Sequence, residues 1–283
     1  MRKRMLIVLV LGLCAVGFAR TPTVHVANPQ VKAAGAQMQK NATPHSPRFS
    51  VDCVFTFTTG ADNTFLKFCV TANGNITLFE SPEGQEHIAV GKDGEGYGIC
   101  DARSEIAYDD YAEFGDSGNW GPPSVLSQTA TSVTIARTTS DGVWTLTQAF
   151  TQVSGRSPSA RVAMTLQNNT TVHRNATLLR YANVDADSVF QNTLDATLQS
   201  AFGWNSVGIT NPFGLVLQNV GNPPAVILTG LVQDVPDGPS PCGPFDHGIV
   251  GPVTGIDGSI VMLYGVTFGP KASKTVTVRY RGF

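Results

Sequence analysis

The sequence predicts an all-β protein built as a single large antiparallel β-sandwich with two disulfides. Three observations carry that prediction. Short Thr- and Val-rich runs alternate with turns, 29 Gly and 17 Pro punctuate the chain, and no twelve-residue window reads as an amphipathic helix. A chain of 283 residues that is 42% hydrophobic can bury a large core. Its charged fraction of 14% is about half of the globular norm. A formal charge of −2 excludes a strongly basic nucleic-acid binder, so no nucleic-acid partner is expected.

The first element is an export signal. Arg2, Lys3 and Arg4 precede an uncharged apolar run from Met5 to Phe18, and Gly17 and Ala19 supply the small residues of a cleavage site. The run is shorter than the ~20 residues needed to span a bilayer, so residues 1–19 read as a signal peptide of a secreted protein, extracellular or periplasmic. No membrane span is expected after its removal. Cleavage removes three bases and none of the 21 acids, moving the charge from −2 to −5. Residues 20–48, with Pro22, Pro29, Pro44 and Pro47, read as a flexible lead-in, and the sandwich domain is placed at 49–283.

Without Cys14, four cysteines remain, and an even count in an exported chain favours disulfides. Val51–Thr58 and Thr64–Thr71 flank the turn-rich Thr59–Asn63. Folding that hairpin about Ala61 sets Cys53 opposite Cys69 and Phe57 opposite Phe65, a spacing a disulfide can bridge. Cys100 and Cys242 then pair and tie an early segment to a late one. Zinc is disfavoured, because no C-x-x-C or H-x-x-x-H spacing exists.

Farther along, Ser132–Arg137 and Gly142–Val153 form a hairpin at Asp141-Gly142. Ser159–Gln167 and Asn175–Asp185 flank a polar turn at Asn168–Thr171. Gly214–Val220, Ala225–Leu231, Ser259–Phe268 and Lys274–Arg281 complete the strands. An outer-membrane barrel is excluded: the phase of the final strand that carries Phe283 also carries Arg281 and Arg279, which a lipid face does not tolerate. Trp144 and Trp204 read as core.

Eleven of the 21 acids lie between Glu80 and Asp116, interleaved with Tyr97, Tyr108, Tyr111, Phe114 and Trp120. Carboxylates accept hydrogen bonds from hydroxyls while rings stack on apolar sugar faces, so Asp109, Asp110, Tyr111 and Trp120 are candidate binding residues. The simpler reading is a solvated acidic region that keeps a weakly charged protein soluble. Gly115-Asp116-Ser117-Gly118 looks like the nucleophile motif of chymotrypsin-like proteases, but Asn119-Trp120 follows it and no histidine has the context of that family.

A second candidate is Tyr181-Ala182-Asn183-Val184-Asp185-Ala186-Asp187. In an extended chain Tyr181, Asn183, Asp185 and Asp187 share one face, and Arg180, Ala182 and Val184 the other. Those oxygens could bind sugar hydroxyls or Ca²⁺, although the glycine and glutamate of an EF-hand are missing; no other cofactor is expected. The stretch Arg161–Asp187, a strand ending in Asn, a polar loop and a strand ending in acids, resembles pieces of β-supersandwich proteins of the galactose-mutarotase type. The resemblance covers under thirty residues and includes no catalytic motif. It implies a supersandwich form of the predicted fold and action on, or binding of, sugars. These features point to a polysaccharide or cell-envelope glycan as partner. The alternatives are a carbohydrate-active enzyme using Asp185, Asp187 or an acid of 109–116, and a structural or adhesive surface protein.

Overall fold

A computed structural model describes residues 53–88, 94–112, 115–205, 212–221, 223–230, 240–243, 248–249 and 252–283. The expected signal peptide and lead-in lie outside the described residues. The first six strands are β1 (Phe55–Thr59), β2 (Leu66–Val70), β3 (Ile76–Glu80), β4 (Glu95–Asp101), β5 (Ile106–Tyr111) and β6 (Gly115–Asp116). Next come β7 (Ser124–Gln128), β8 (Ser132–Thr138), β9 (Trp144–Val153), β10 (Ser159–Asn168) and β11 (Arg174–Val184). Then follow β12 (Asn192–Ala196), β13 (Ser200–Trp204), β14 (Gly214–Asn219) and β15 (Val226–Gly230). The last are β16 (Gly248–Ile249), β17 (Val253–Ile256), β18 (Gly258–Phe268) and β19 (Ser273–Gly282).

These strands make the predicted all-β sandwich. A nine-stranded sheet runs β17-β12-β13-β14-β19-β10-β9-β8-β7, and a seven-stranded sheet runs β16-β15-β18-β11-β4-β5-β6. A third sheet, β1-β2-β3, adds to the same core. Alternation decides which face is buried. On β9, Trp144, Leu146 and Phe150 point inward; on β10, Ala160, Val162, Met164 and Leu166 do so. The seven-stranded sheet answers with Tyr97, Ile99, Leu178, Ala182, Ile260, Met262 and Tyr264. Trp144 is fully buried against Phe268, with ring centroids 5.1 Å apart, as expected of a core residue.

Both predicted disulfides form, with Cα separations of 5.7 Å for Cys53–Cys69 and 4.9 Å for Cys100–Cys242. The register of the first hairpin differs from the expected one. Phe57 faces Phe68, not Phe65, with the rings stacked at 5.0 Å, and Cys69 faces Thr56. A 3-10 turn at Asp62–Thr64 lengthens the loop, so β2 starts at Leu66. The inward set Phe55, Phe57, Leu66, Phe68 and Val70 then fixes the pairing, because a slip would turn these side chains out of the core. Cys53 reaches Cys69 from outside the end of β1.

Two further expectations change. The turn at Asn168–Thr171 does not close a hairpin: β10 belongs to the nine-stranded sheet and β11 to the seven-stranded one, so the segment carries the chain across the sandwich. Trp204 is only half-buried, because Ala201 and Gly203 take the inward positions of β13 and leave Phe202 and Trp204 on the outer face.

Candidate functional site

β4 lies between β11 and β5 and has two unlike faces. Tyr97, Ile99 and Asp101 point into the sandwich, while Gly96, Gly98 and Cys100 occupy the outer phase. In register, Gly96 stands between Tyr111 of β5 and Tyr181 of β11. The two tyrosine rings meet edge to face across it at 5.3 Å. A Cβ at Gly96 would lie 2.0 Å from the Asp110 carbonyl and 2.7 Å from the Tyr111 ring, so only glycine permits this approach. Tyr111, Leu179, Tyr181, Val261 and Leu263 form a second apolar cluster apart from the main core. Pro241 closes on Gly98, held there by the Cys100–Cys242 disulfide.

The two candidate segments thus converge through Tyr111 and Tyr181, yet half of the first one faces the other way. Asp110 follows Asp109 on a strand and must point to the opposite face. It is buried and ion-paired with Arg137 at 2.5 Å. Arg137 also holds Asp116 at 2.7 Å and donates to the Tyr97 hydroxyl at 3.3 Å. Its guanidinium lies 5.2 Å from the Trp120 ring centroid, and the Trp120 indole N–H donates to the Asp109 carbonyl at 3.1 Å. Burial raises the Asp110 pKa against the pull of Arg137. Asp110 and Trp120 therefore support the packing between the sheets.

Two more acids of the same region are used this way. Asp101 is buried, pairs with Arg174 and accepts from the Trp144 indole at 3.0 Å. Glu95 is buried, pairs with Arg180 and accepts from the Tyr280 hydroxyl. Arg180 itself donates to Tyr280 at 2.9 Å and to Gln148 at 2.6 Å. The sequence held the clue: Arg137 continues the apolar phase of Val133 and Ile135, and Arg180 that of Leu178 and Ala182. A buried arginine requires a buried acceptor.

At the end of β11 the polar groups gather. Asn183 and Asp185 are buried, and the backbone then turns through Asp187 and Ser188, both left-handed with φ of 55° and 61°. Two successive non-glycine residues in this region store local strain of the kind concentrated at functional sites. The Asn183 N–H donates to the Gly94 carbonyl at 2.9 Å and the Asp185 N–H to the His87 carbonyl at 3.0 Å. His87 and Gly94 thus border β11 beyond the end of β4. The Asp187 carboxylate accepts from the Gln85 amide at 2.6 and 3.1 Å in its donating orientation, and from Asn205 at 3.4 Å. Its partial burial raises its pKa.

His87 is fully buried, with Nε2 2.9 Å from the Ser81 carbonyl. A carbonyl only accepts, so the contact assigns the proton to Nε2 and leaves Nδ1 as an acceptor. Nδ1 and the Asn183 side-chain oxygen have no hydrogen-bond partner among the described residues. Burial lowers the His87 pKa to about 4, so the ring is neutral at physiological pH. The sequence reading missed Gln85 and Asn205 as partners of Asp187, and His87 as the neighbour of Asp185. They lie on separate segments, and no local spacing announces the meeting. Among the described residues no group of three or more His, Cys, Asp or Glu side chains is placed to hold a metal ion.

No family model matches the chain, and no curated protein matches it. Solved structures do resemble it in outline. A galactose mutarotase-like protein from Lactobacillus casei ATCC 334 is 10% identical, with 81% of this chain and 100% of that one covered at a TM-score of 0.46. A GalM/aldose epimerase homologue from C. elegans is 9% identical, with 81% and 98% covered at a TM-score of 0.48. The likeness is one of fold outline and assigns no residue a role.

Proposed function

We propose that the protein is exported and binds carbohydrate at the rim of the seven-stranded sheet, around Asp187. The observation that carries this reading is the Asp187 carboxylate itself: partly exposed, on a left-handed Asp187–Ser188 pair, and oriented by the Gln85 and Asn205 amides. Such a carboxylate accepts hydrogen bonds from vicinal hydroxyls, and its fixed geometry lowers the ordering cost of binding. Asn183, buried nearby on β11, retains an unused acceptor. Two disulfides suit an oxidising compartment, in keeping with the signal read at residues 1–19.

Glycan-array screening followed by calorimetry tests the proposal. Asp187→Asn is expected to weaken the ligand found by tenfold or more, the loss typical of a charge-assisted hydrogen bond, with an unchanged melting temperature. Silence across a broad panel of neutral and acidic glycans overturns it, as does an Asp187→Asn variant that binds like the wild type. Calcium, the one cofactor the sequence left open, is checked in the same material by the melting-temperature change on adding EDTA.

A further inference from the structure

The outer face of the nine-stranded sheet carries a different chemistry. β10 and β19 are neighbours near its centre, and their outward positions hold Arg161 on β10 and Arg279 and Arg281 on β19. Arg161 and Arg279 are direct partners in register, and Arg281 is the next outward residue along β19. Like charges directly opposed on adjacent strands are destabilising. The chain has only 19 basic residues, and at Arg137, Arg174 and Arg180 each arginine has an acid.

Among the described residues, none of the three outer arginines makes an ion pair. The groups that meet them are neutral: the Gln218 side-chain oxygen accepts from Arg279, and Ser157 Oγ accepts from Arg281 at 3.4 Å. The Arg279 Nε–H is buried and has no acceptor among the described residues. Asp195 shares the register row of Arg281 but stands three strands away, across Phe202 and Val216, and its carboxylate accepts from the Ala196 N–H at 2.8 Å. Beside the arginines, Phe202 and Trp204 are half-exposed and Phe283 is 41% exposed. Gly214 lies between Trp204 and Phe283, where a Cβ would come within 2.6 Å of both side chains.

We infer that this arginine–aromatic face binds an acidic polysaccharide. The guanidinium groups supply forked donors for carboxylate or sulfate, and the rings supply flat apolar surface for sugar faces. Neighbouring strands stand ~4.8 Å apart and successive outward residues ~7 Å apart, so the charges are spread over two rows. That spread suits charges repeated along a polymer better than one small anion. An overall charge of −2 opposes a densely charged polyanion such as nucleic acid. This surface is separate from the Asp187 rim, and the inference does not rest on that reading.

Affinity electrophoresis and calorimetry of the full chain against polygalacturonate, its methyl-esterified form and a sulfated glycan provide the test. Binding is expected to polygalacturonate and not to the ester, to weaken as salt shortens the screening length, and to fall roughly tenfold in Arg161→Gln and in Arg281→Gln. Arg161 is exposed, so its replacement does not threaten folding, and melting curves of both variants serve as the check. Binding to the sulfated glycan alone keeps the site and assigns sulfate as its anion. Equal binding to the ester, variants that bind like the wild type, no binding to either acidic glycan, or tighter binding to single-stranded DNA overturns the inference.

Discussion

His87 shows how much one buried side chain decides. Its Nε2–H is committed to the Ser81 carbonyl and its backbone carbonyl to Asp185, so taking up a second proton would place a charge in a dry site. Burial holds the native pKa at about 4, below the ordinary histidine value of 6.5. Below pH 6.5 the unfolded chain gains a proton that the native chain refuses, so stability falls as pH drops toward 4 and is fully present above 6.5. A difference of that size corresponds to about 3 kcal/mol. His87→Gln keeps a donor for Ser81 and removes the titration. Urea unfolding across this pH range is expected to show a flatter profile in the variant by roughly that amount. Comparison with the wild type cancels the opposing contribution of Asp187, whose raised pKa favours the native state as pH falls. Nothing in the run Glu86-His87-Ile88 signals this role, because it depends on a strand end about one hundred residues away.

At the scale of elements, the disulfides make the clearest energetic statement. Cys53–Cys69 closes a separation of 16 residues and Cys100–Cys242 one of 142. In the chain-entropy model these closures are worth about 3 and about 5 kcal/mol. Replacing Cys100 and Cys242 together by serine is therefore expected to lower the urea midpoint more than replacing Cys53 and Cys69. The larger effect should include detachment of Pro241 from Gly98, seen as faster amide exchange along β4. Both pairings were legible from the even cysteine count and from the placing of Cys53 and Cys69 on the two arms of one hairpin, although Cys69 stands opposite Thr56. Register was not, because a 3-10 turn at Asp62–Thr64 adds residues to the loop without altering its polar composition. Strand extents were legible wherever alternation was strict, as on β8, β9 and β19. The crossing from β10 to β11 was not, because Asn168–Thr171 has the same composition whether it closes a hairpin or joins two sheets.

At the scale of the molecule, part of the sparse charge of the sequence proves to be buried between the sheets. The acid-rich segment between Glu80 and Asp116 read as one surface feature, yet Glu95, Asp101 and Asp110 lie in the interior, each with an arginine and each with a partner on the nine-stranded sheet. Burying an ion pair gives little net stability, while leaving one member alone is costly. The arrangement is therefore better understood as fixing how the two sheets sit on each other than as binding them together. The Glu95–Arg180 pair tests that view most directly. Arg180→Met leaves a fully buried Glu95 facing only the Tyr280 hydroxyl and the Ile76 N–H, and burial already pushes its pKa up. A loss of about 3–5 kcal/mol is expected at neutral pH, shrinking in acid as Glu95 takes up a proton. The double variant Arg180→Met with Glu95→Leu removes both charges, and it is expected to regain most of that stability while losing near-ultraviolet dichroism from the surrounding Tyr97, Phe150 and Tyr280 rings. Recovery of stability without that loss of order would show that apolar packing alone orients the sheets and that the buried charges do not specify the fold.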